Sequence, residues 1–194
     1  MQINPNPHNI ISYELTISKG FVRFPQNVAI AKVCPLHSAP EEKMRILVIK
    51  SERKLYLLDR DSVLLRAPVG LGRVPGGAKA REGDGKTPEG VYAVCLVKPD
   101  GKYGRSLGLN FPNAADARAA LVTKAIDEAV FRAIVAAEAD NRRPPWGTAL
   151  GGEIYIHEGG AHEDWTQGCI ALEPSDMDTL FLYHPQITQV EIRP

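Results

Sequence analysis

Short apolar runs, several alternating with polar positions, recur from Met44 onward, and this pattern predicts strands. RILVIK and KLYLLD, separated by a polar SER break, predict a β-hairpin, and VLLRAPVG predicts the next strand. Further strands are expected at VYAVCLV, at EIYIH and near Ile187 to Ile192. Between Asn113 and Asn141 the period changes. That segment is Ala-rich, with Ile126, Val130, Ile134 and Ala137 at helical spacing. It predicts a helix pair or one broken helix, with Thr123 as an N-cap. A short helix is expected from about Pro174 to Tyr183, because proline suits a first turn in which its missing N–H is not needed. The pattern as a whole predicts a mostly-β domain with a helical insert.

The connections carry their own signals. A Gly-rich loop from Gly70 to Gly90 ends in GDGKTPEG and turns directly into VYAVCLV. Pro88 fixes one backbone angle and Gly90 permits an unusual one, so the loop is shaped rather than a slack linker. Residues 1–43 hold several prolines and short β-branched runs (Glu14 to Ile17, Phe21 to Phe24, Val28 to Val33). They read as an N-terminal extension with one to three short strands, and residues 44–194 read as the main domain.

Composition narrows the partners. Over 194 residues, 23 Lys and Arg balance 23 Asp and Glu, which gives no electrostatic reason to expect nucleic acid or an anionic membrane surface. No apolar run approaches the ~18 residues of a membrane span, and no charged-then-apolar signal opens the chain. A soluble domain is expected, either cytosolic or with an export signal already removed. Cys34, Cys95 and Cys169 are an odd number, so at least one thiol is free and a disulfide scaffold is excluded. Cys95, inside VYAVCLV, is expected to be buried filler. Cys34 and His37 form a lone C-x-x-H, weak evidence for a metal, and Cys34 is read as structural or incidental.

One pair carries most of the chemistry. His157 and Cys169 lie twelve residues apart in IYIHEGGAHEDWTQGCIAL. A thiol is a strong nucleophile only as thiolate, and an imidazole is the common group that makes it one. Free cysteine titrates near ~8.5, so lowering its pKa by ~2 units would make most of it reactive at neutral pH. His157 is the candidate to do this, as ion-pair partner or general base. Gly168 lets the backbone turn sharply, so the amides at Gly168 and Cys169 are candidates to hold an oxyanion, and Thr166 adds a hydroxyl to the same turn. Other readings stay open. His157, His162 and Cys169 are three possible zinc ligands, although their spacing matches no tight ligand pair. His162 is also a rival base, and its acidic surroundings (Glu158, Glu163, Asp164) suit a solvated side chain that touches substrate. Trp165 is either a cleft wall or a packing aromatic. Lys86 and Glu89 are either substrate contacts or solvated loop charges.

These residues resemble the catalytic domain of the L,D-transpeptidases, the YkuD-type family. That family carries a histidine-glycine pair on a strand, then Ser or Thr, any residue, Gly, Cys and an aliphatic residue. The match here is His157 with Gly159, then Thr166-Gln167-Gly168-Cys169-Ile170. ILVIKSERKLYLL is similar to the family's opening hairpin, VGLGRVPGGAKAREGDGKTPEGVY to its Gly-rich approach to the site, and SLGLNFPNAAD to the stretch before its helices. The resemblance covers about residues 44 to 194. Glu158, Gln167 and Ala171 depart from it, standing where the family usually has glycine, histidine and arginine.

The resemblance implies a β-sandwich-like fold with a helical insertion and short helices. It implies acyl transfer on peptidoglycan stem peptides: Cys169 attacks the carbonyl between a diamino acid and terminal D-alanine, and His157 moves the proton. Gly159, Trp165 and His162 are the expected substrate contacts. A transpeptidase is expected first. A carboxypeptidase or amidase on the same scaffold is the alternative, and a non-catalytic peptidoglycan-binding module is a third. No metal or organic cofactor is required, carbapenems are expected inhibitors, and the substrate implies the periplasm or cell envelope.

Overall fold

The hairpin expected at the start of the domain forms. In the computed structural model, which describes residues 44–194, β1 (Met44–Ile49) pairs antiparallel with β2 (Lys54–Asp59), Val48 opposite Leu55. β3 (Ser62–Pro68) continues the meander beyond β2. The polar break between β1 and β2 closes where Arg53 takes a positive φ of 51°. The short runs predicted within residues 1–43, together with Cys34 and His37, lie outside the described residues.

VYAVCLV is not one strand. It divides at Ala93 into β4 (Gly90–Tyr92) and β5 (Val94–Gly101), which belong to different sheets. Asn110 makes the break, because its Oδ1 accepts the Ala93 amide at 2.8 Å and its own amide donates to the Ala93 carbonyl at 3.0 Å. These bonds replace the ladder partners that Ala93 loses as the chain changes sheet. The first sheet runs β3-β2-β1-β9-β4, with the C-terminal β9 (Ile187–Arg193) parallel to β1. The second runs β5-β6-β7-β8, adding β6 (Gly104–Leu109), β7 (Tyr155–Glu158) and β8 (Ile170–Leu172).

Both sheets turn apolar residues inward. Ile46, Val48, Leu55 and Leu57 from the first sheet share one fully buried cluster with Leu107, Leu109, Ile156, Ile170 and Leu172 from the second. Each such side chain contributes roughly 1.5–3 kcal/mol of burial, so this shared cluster is the main reason the sheets hold a fixed relation. The chain is therefore mostly strand, in two mixed sheets with few short helices. Cys95 differs from expectation. It lies half-buried on β5, the edge strand of its sheet, and is not core filler.

The helical insert forms as a pair, α1 (Ala114–Val122) and α2 (Glu128–Ala139). Thr123 does not start a helix. It is the C-cap of α1, and α2 begins at Asp127, whose carboxylate accepts the Val130 amide at 2.8 Å. A carboxylate suits the positive end of the helix dipole as well as the unpaired first-turn amides. The pair packs on its own small cluster of Ala117, Ala120, Ile126, Ile134 and Leu150. α3 (Pro174–Tyr183) starts on Pro174 as expected and buries Met177 and Leu180 in the main core. Among the described residues, no helix is long and apolar enough to cross a membrane.

Candidate active site

β7 and β8 run parallel, with Ile156 opposite Ile170 and His157 opposite Ala171. One step back along both chains, Tyr155 stands beside Cys169, and its amide donates to the Cys169 sulfur at 3.4 Å. Side chains two residues apart on a strand share a face, so His157 and Cys169 project to the same side as diagonal neighbours. Strand spacing and rise set their Cα atoms about 8 Å apart. Both line one cleft of about 310 Å³, together with Lys98, Tyr103, Ser106, Glu153 and Tyr155.

The turn before the nucleophile is tightly built. Gly168 has φ of 135°, and a Cβ there would sit 2.6 Å from the Lys86 carbonyl oxygen, so only glycine fits. Thr166 Oγ1 accepts the Gly168 amide at 3.1 Å and donates to the Cys169 carbonyl at 2.7 Å. The Thr166 hydroxyl braces the turn from a buried position, and the Gly168 amide, already donated to it, is not open to an oxyanion.

His157 is held by three different contacts. Tyr103 stacks on its ring at 5.0 Å between centroids, and Trp165 meets it edge-on at 5.6 Å. Its Nδ1 is hydrogen-bonded to the Glu158 backbone carbonyl. A carbonyl only accepts, so Nδ1 carries the proton and Nε2 keeps the lone pair. Glu158 is fixed in turn by Arg105, which also reaches Asp178 on α3. Tyr103 and Arg105 escaped the sequence reading, because nothing in the hairpin KPDGKYGR marks either as facing the histidine.

The sequence leaves His157 as either ion-pair partner or general base, and burial acts on both members of the pair. Burial pushes the Cys169 thiol up to about 11, against the opposing pull of the Tyr155 amide. Burial also lowers the His157 pKa, only partly offset by its bond to Glu158. The thiol donates to the Glu153 carbonyl at 3.4 Å. Both shifts disfavour a preformed thiolate–imidazolium pair.

The remaining candidates divide. Trp165 packs on the histidine, donates from Nε1 to the Gly160 carbonyl at 3.2 Å, and stands where a Cβ on Gly159 would lie 2.9 Å from its ring. Gly159 thus makes room for the tryptophan. His162 is exposed beside Glu163, at 3.7 Å, and does not line the cleft with Cys169. Among the described residues no three His, Cys, Asp or Glu side chains are grouped to hold a metal ion. Asp164 is held at two points. It accepts the Leu71 amide at 2.9 Å and pairs with Arg53 at 2.9 Å, tying the His-to-Cys loop to the first sheet's side of the domain.

The Gly-rich loop is anchored by buried lysines. Lys50 Nζ donates to Glu89 at 2.8 Å and to the Gly77 and Thr87 carbonyls, so Glu89 is an internal partner and not a loose loop charge. Lys79 pairs with Asp84 at 2.9 Å. Burial alone would raise the Asp84 pKa. Lys79 and the amides of Ala80, Arg81 and Lys86 overcome that and hold it near about 2. Lys79, Glu82, Gly83, Gln167 and Cys169 line a second cleft of about 280 Å³ on the other side of the sulfur. The thiol stands where two clefts meet.

The profile of the YkuD L,D-transpeptidase catalytic domain matches residues 43–192. The chain belongs to this family. YafK of Escherichia coli (strain K12), which carries a provisional L,D-transpeptidase name, is 37% identical over 78 residues, covering 39% of this chain and 29% of that protein. The helical cell shape determining protein Pgp2 of Campylobacter jejuni shares the fold, with a TM-score of 0.53, 20% identity, and coverage of 79% of this chain and 48% of that one. Its K307A mutant superposes similarly, with a TM-score of 0.54. The chain thus spans less than half the length of these relatives. The β-rich YkuD fold expected from the motif is the fold observed.

Proposed function

We propose that this YkuD domain is a cysteine acyl-transfer enzyme acting on peptidoglycan stem peptides, an L,D-transpeptidase with Cys169 as nucleophile and His157 as base. One observation carries the reading: the sulfur and an imidazole whose Nε2 is free to take a proton share a strand face and a cleft.

The neutral resting pair favours general-base catalysis. As Cys169 Sγ attacks the carbonyl of the diamino acid, its proton leaves the Glu153 carbonyl and passes to His157 Nε2. The S–C bond forms, and the Cys169 amide is the remaining donor in the turn for the oxyanion, since Thr166 holds the Gly168 amide. Collapse breaks the C–N bond. His157 returns the proton to the leaving amine, and a thioester and a free D-amino acid result. An amine from a second stem then attacks the thioester, giving a cross-link and regenerating the thiol. Water in that role gives the carboxypeptidase or amidase alternative, which is favoured by the fully buried, uncharged Ala171 beside the site. Trp165 and Gly159 serve the substrate side by holding the imidazole, and the exposed His162 serves as a contact only for a long substrate. The substrate puts this chemistry in the cell envelope or periplasm, with no cofactor needed.

Incubation with defined muropeptides, read by product mass, tests this. Cross-linked dimers and free D-alanine, both lost in Cys169→Ala, are expected. Free D-alanine without dimers favours the hydrolase. No product, with muropeptides still bound, favours a binding module and overturns the enzyme.

A further inference from the structure

Two ammonium groups stand over the cleft on the His157 side of the sulfur. Lys98 Nζ lies 4.5 Å from the centroid of the Tyr155 ring, and Lys102 Nζ lies 5.1 Å from that of Tyr103. Both lysines and both rings line the cleft that holds Cys169 and His157. Neither lysine has an ion-pair partner among the described residues, whereas Lys50, Lys79, Arg53 and Arg105 around the site are all paired. The cleft therefore offers unmatched positive charge at one end. Each cation is held over an aromatic face that keeps it in place without neutralising it.

Proton transfer decides what arrives there. The leaving amine takes its proton from His157, so the leaving residue lies on the histidine's side of the sulfur. In an α-amino acid the carboxylate is attached to the carbon that bears this amine. A free terminal carboxylate is thereby carried toward Lys98 and Lys102. The second cleft has the opposite character, since its lysine is paired to Asp84 while Glu82 and Glu153 border it. Glu153 stands where the clefts meet, so an anion is favoured only beyond it, toward the lysines.

We infer that Lys98 and Lys102 recognise the free carboxylate of the departing C-terminal residue, which makes the domain selective for the last bond of an anionic peptide. This rests on the acyl-transfer reading above. It implies that a peptide amidated at its C-terminus, or extended by further residues that displace the carboxylate, is a poor acyl donor.

The test separates the two claims by using a probe that needs no peptide chemistry. Cys169 in the full chain is alkylated at pH 8.5 with iodoacetate and, separately, with the neutral iodoacetamide, and the Cys169 peptide is followed by mass. The ratio of the two rates should fall about fivefold in Lys98→Gln or Lys102→Gln, and further in the double variant, as local positive charge is removed. In parallel, wild type should turn over a stem peptide ending in a free carboxylate at least tenfold better than its C-terminal amide, and the double variant should lose that preference. An unchanged alkylation ratio overturns the inference, whatever the turnover. A reduced ratio with no turnover of either peptide by wild type upholds the anion site and sinks the acyl-transfer reading instead.

Discussion

The Thr166 hydroxyl donates to the carbonyl oxygen of Cys169 at 2.7 Å while accepting the amide of Gly168, so one side chain closes the nucleophile turn. Thr166→Val keeps the shape and removes both bonds, leaving a buried amide without a partner. It should cost about 1–3 kcal/mol of stability, whereas Thr166→Ser should restore most of it. Chemical denaturation of the three proteins checks this, and equal stability of the valine and serine variants would contradict it. Gly168→Ala should be worse than Thr166→Val for acylation, because its Cβ meets the Lys86 carbonyl oxygen.

The neutral thiol predicts a particular pH profile. With its pKa pushed up to about 11, Cys169 should react with iodoacetamide more slowly at neutral pH than an unstructured cysteine, its rate climbing well above pH 9. A rate already at its plateau near pH 6 would show a preformed ion pair. The same shift sets a sign for stability. The folded state holds this proton more tightly than the unfolded one, so the contribution is full below about 9 and is lost as pH rises toward about 11.

His157→Ala should slow acylation of Cys169 by a carbapenem by about 100-fold or more, because it removes the base. His162→Ala should leave the rate within about twofold, since that ring is exposed and outside the cleft. Adduct formation followed by intact mass decides between them, and equal losses would mean that the wrong imidazole has been assigned the role.

Asp84 is held near about 2 by Lys79 and three amides, so its stabilisation is present above about 4 and is lost as pH falls toward about 2. Asp84→Ala strands the buried Lys79 and should cost about 3–5 kcal/mol at neutral pH. The gap between wild type and variant should narrow on acidification. A gap that is constant from pH 6 to pH 3 would refute the assignment.

Local rules carried the reading far where short segments decide the outcome. The β1–β2 hairpin, β3, the start of α3 at Pro174 and the final strand all follow from periodicity and turn chemistry. They failed where a distant partner intervenes. The apolar neighbours of Ala93 predict a mid-strand position, but Asn110 takes its backbone bonds and sends the chain to another sheet. Thr123 looks like an N-cap by type, yet Asp127 holds that place at the start of α2. Glu89 fits either a substrate contact or a solvated loop charge by sequence, and it is neither, because Lys50, far along the chain, pairs with it; Arg53 likewise pairs with Asp164.

By itself, the order of residues determined a mostly-β domain with a helical insert, the family motif, and which sulfur and which ring belong to that motif, because these depend on residue types at short, fixed spacings. Tertiary structure alone decided that the sulfur meets the Glu153 carbonyl, that Tyr103 and Trp165 hold the imidazole, and that Thr166 has taken the Gly168 amide. Proton affinity and hydrogen-bond occupancy depend on how much water is excluded and on which groups from other strands fill the space. Those quantities exist only once the chain has packed.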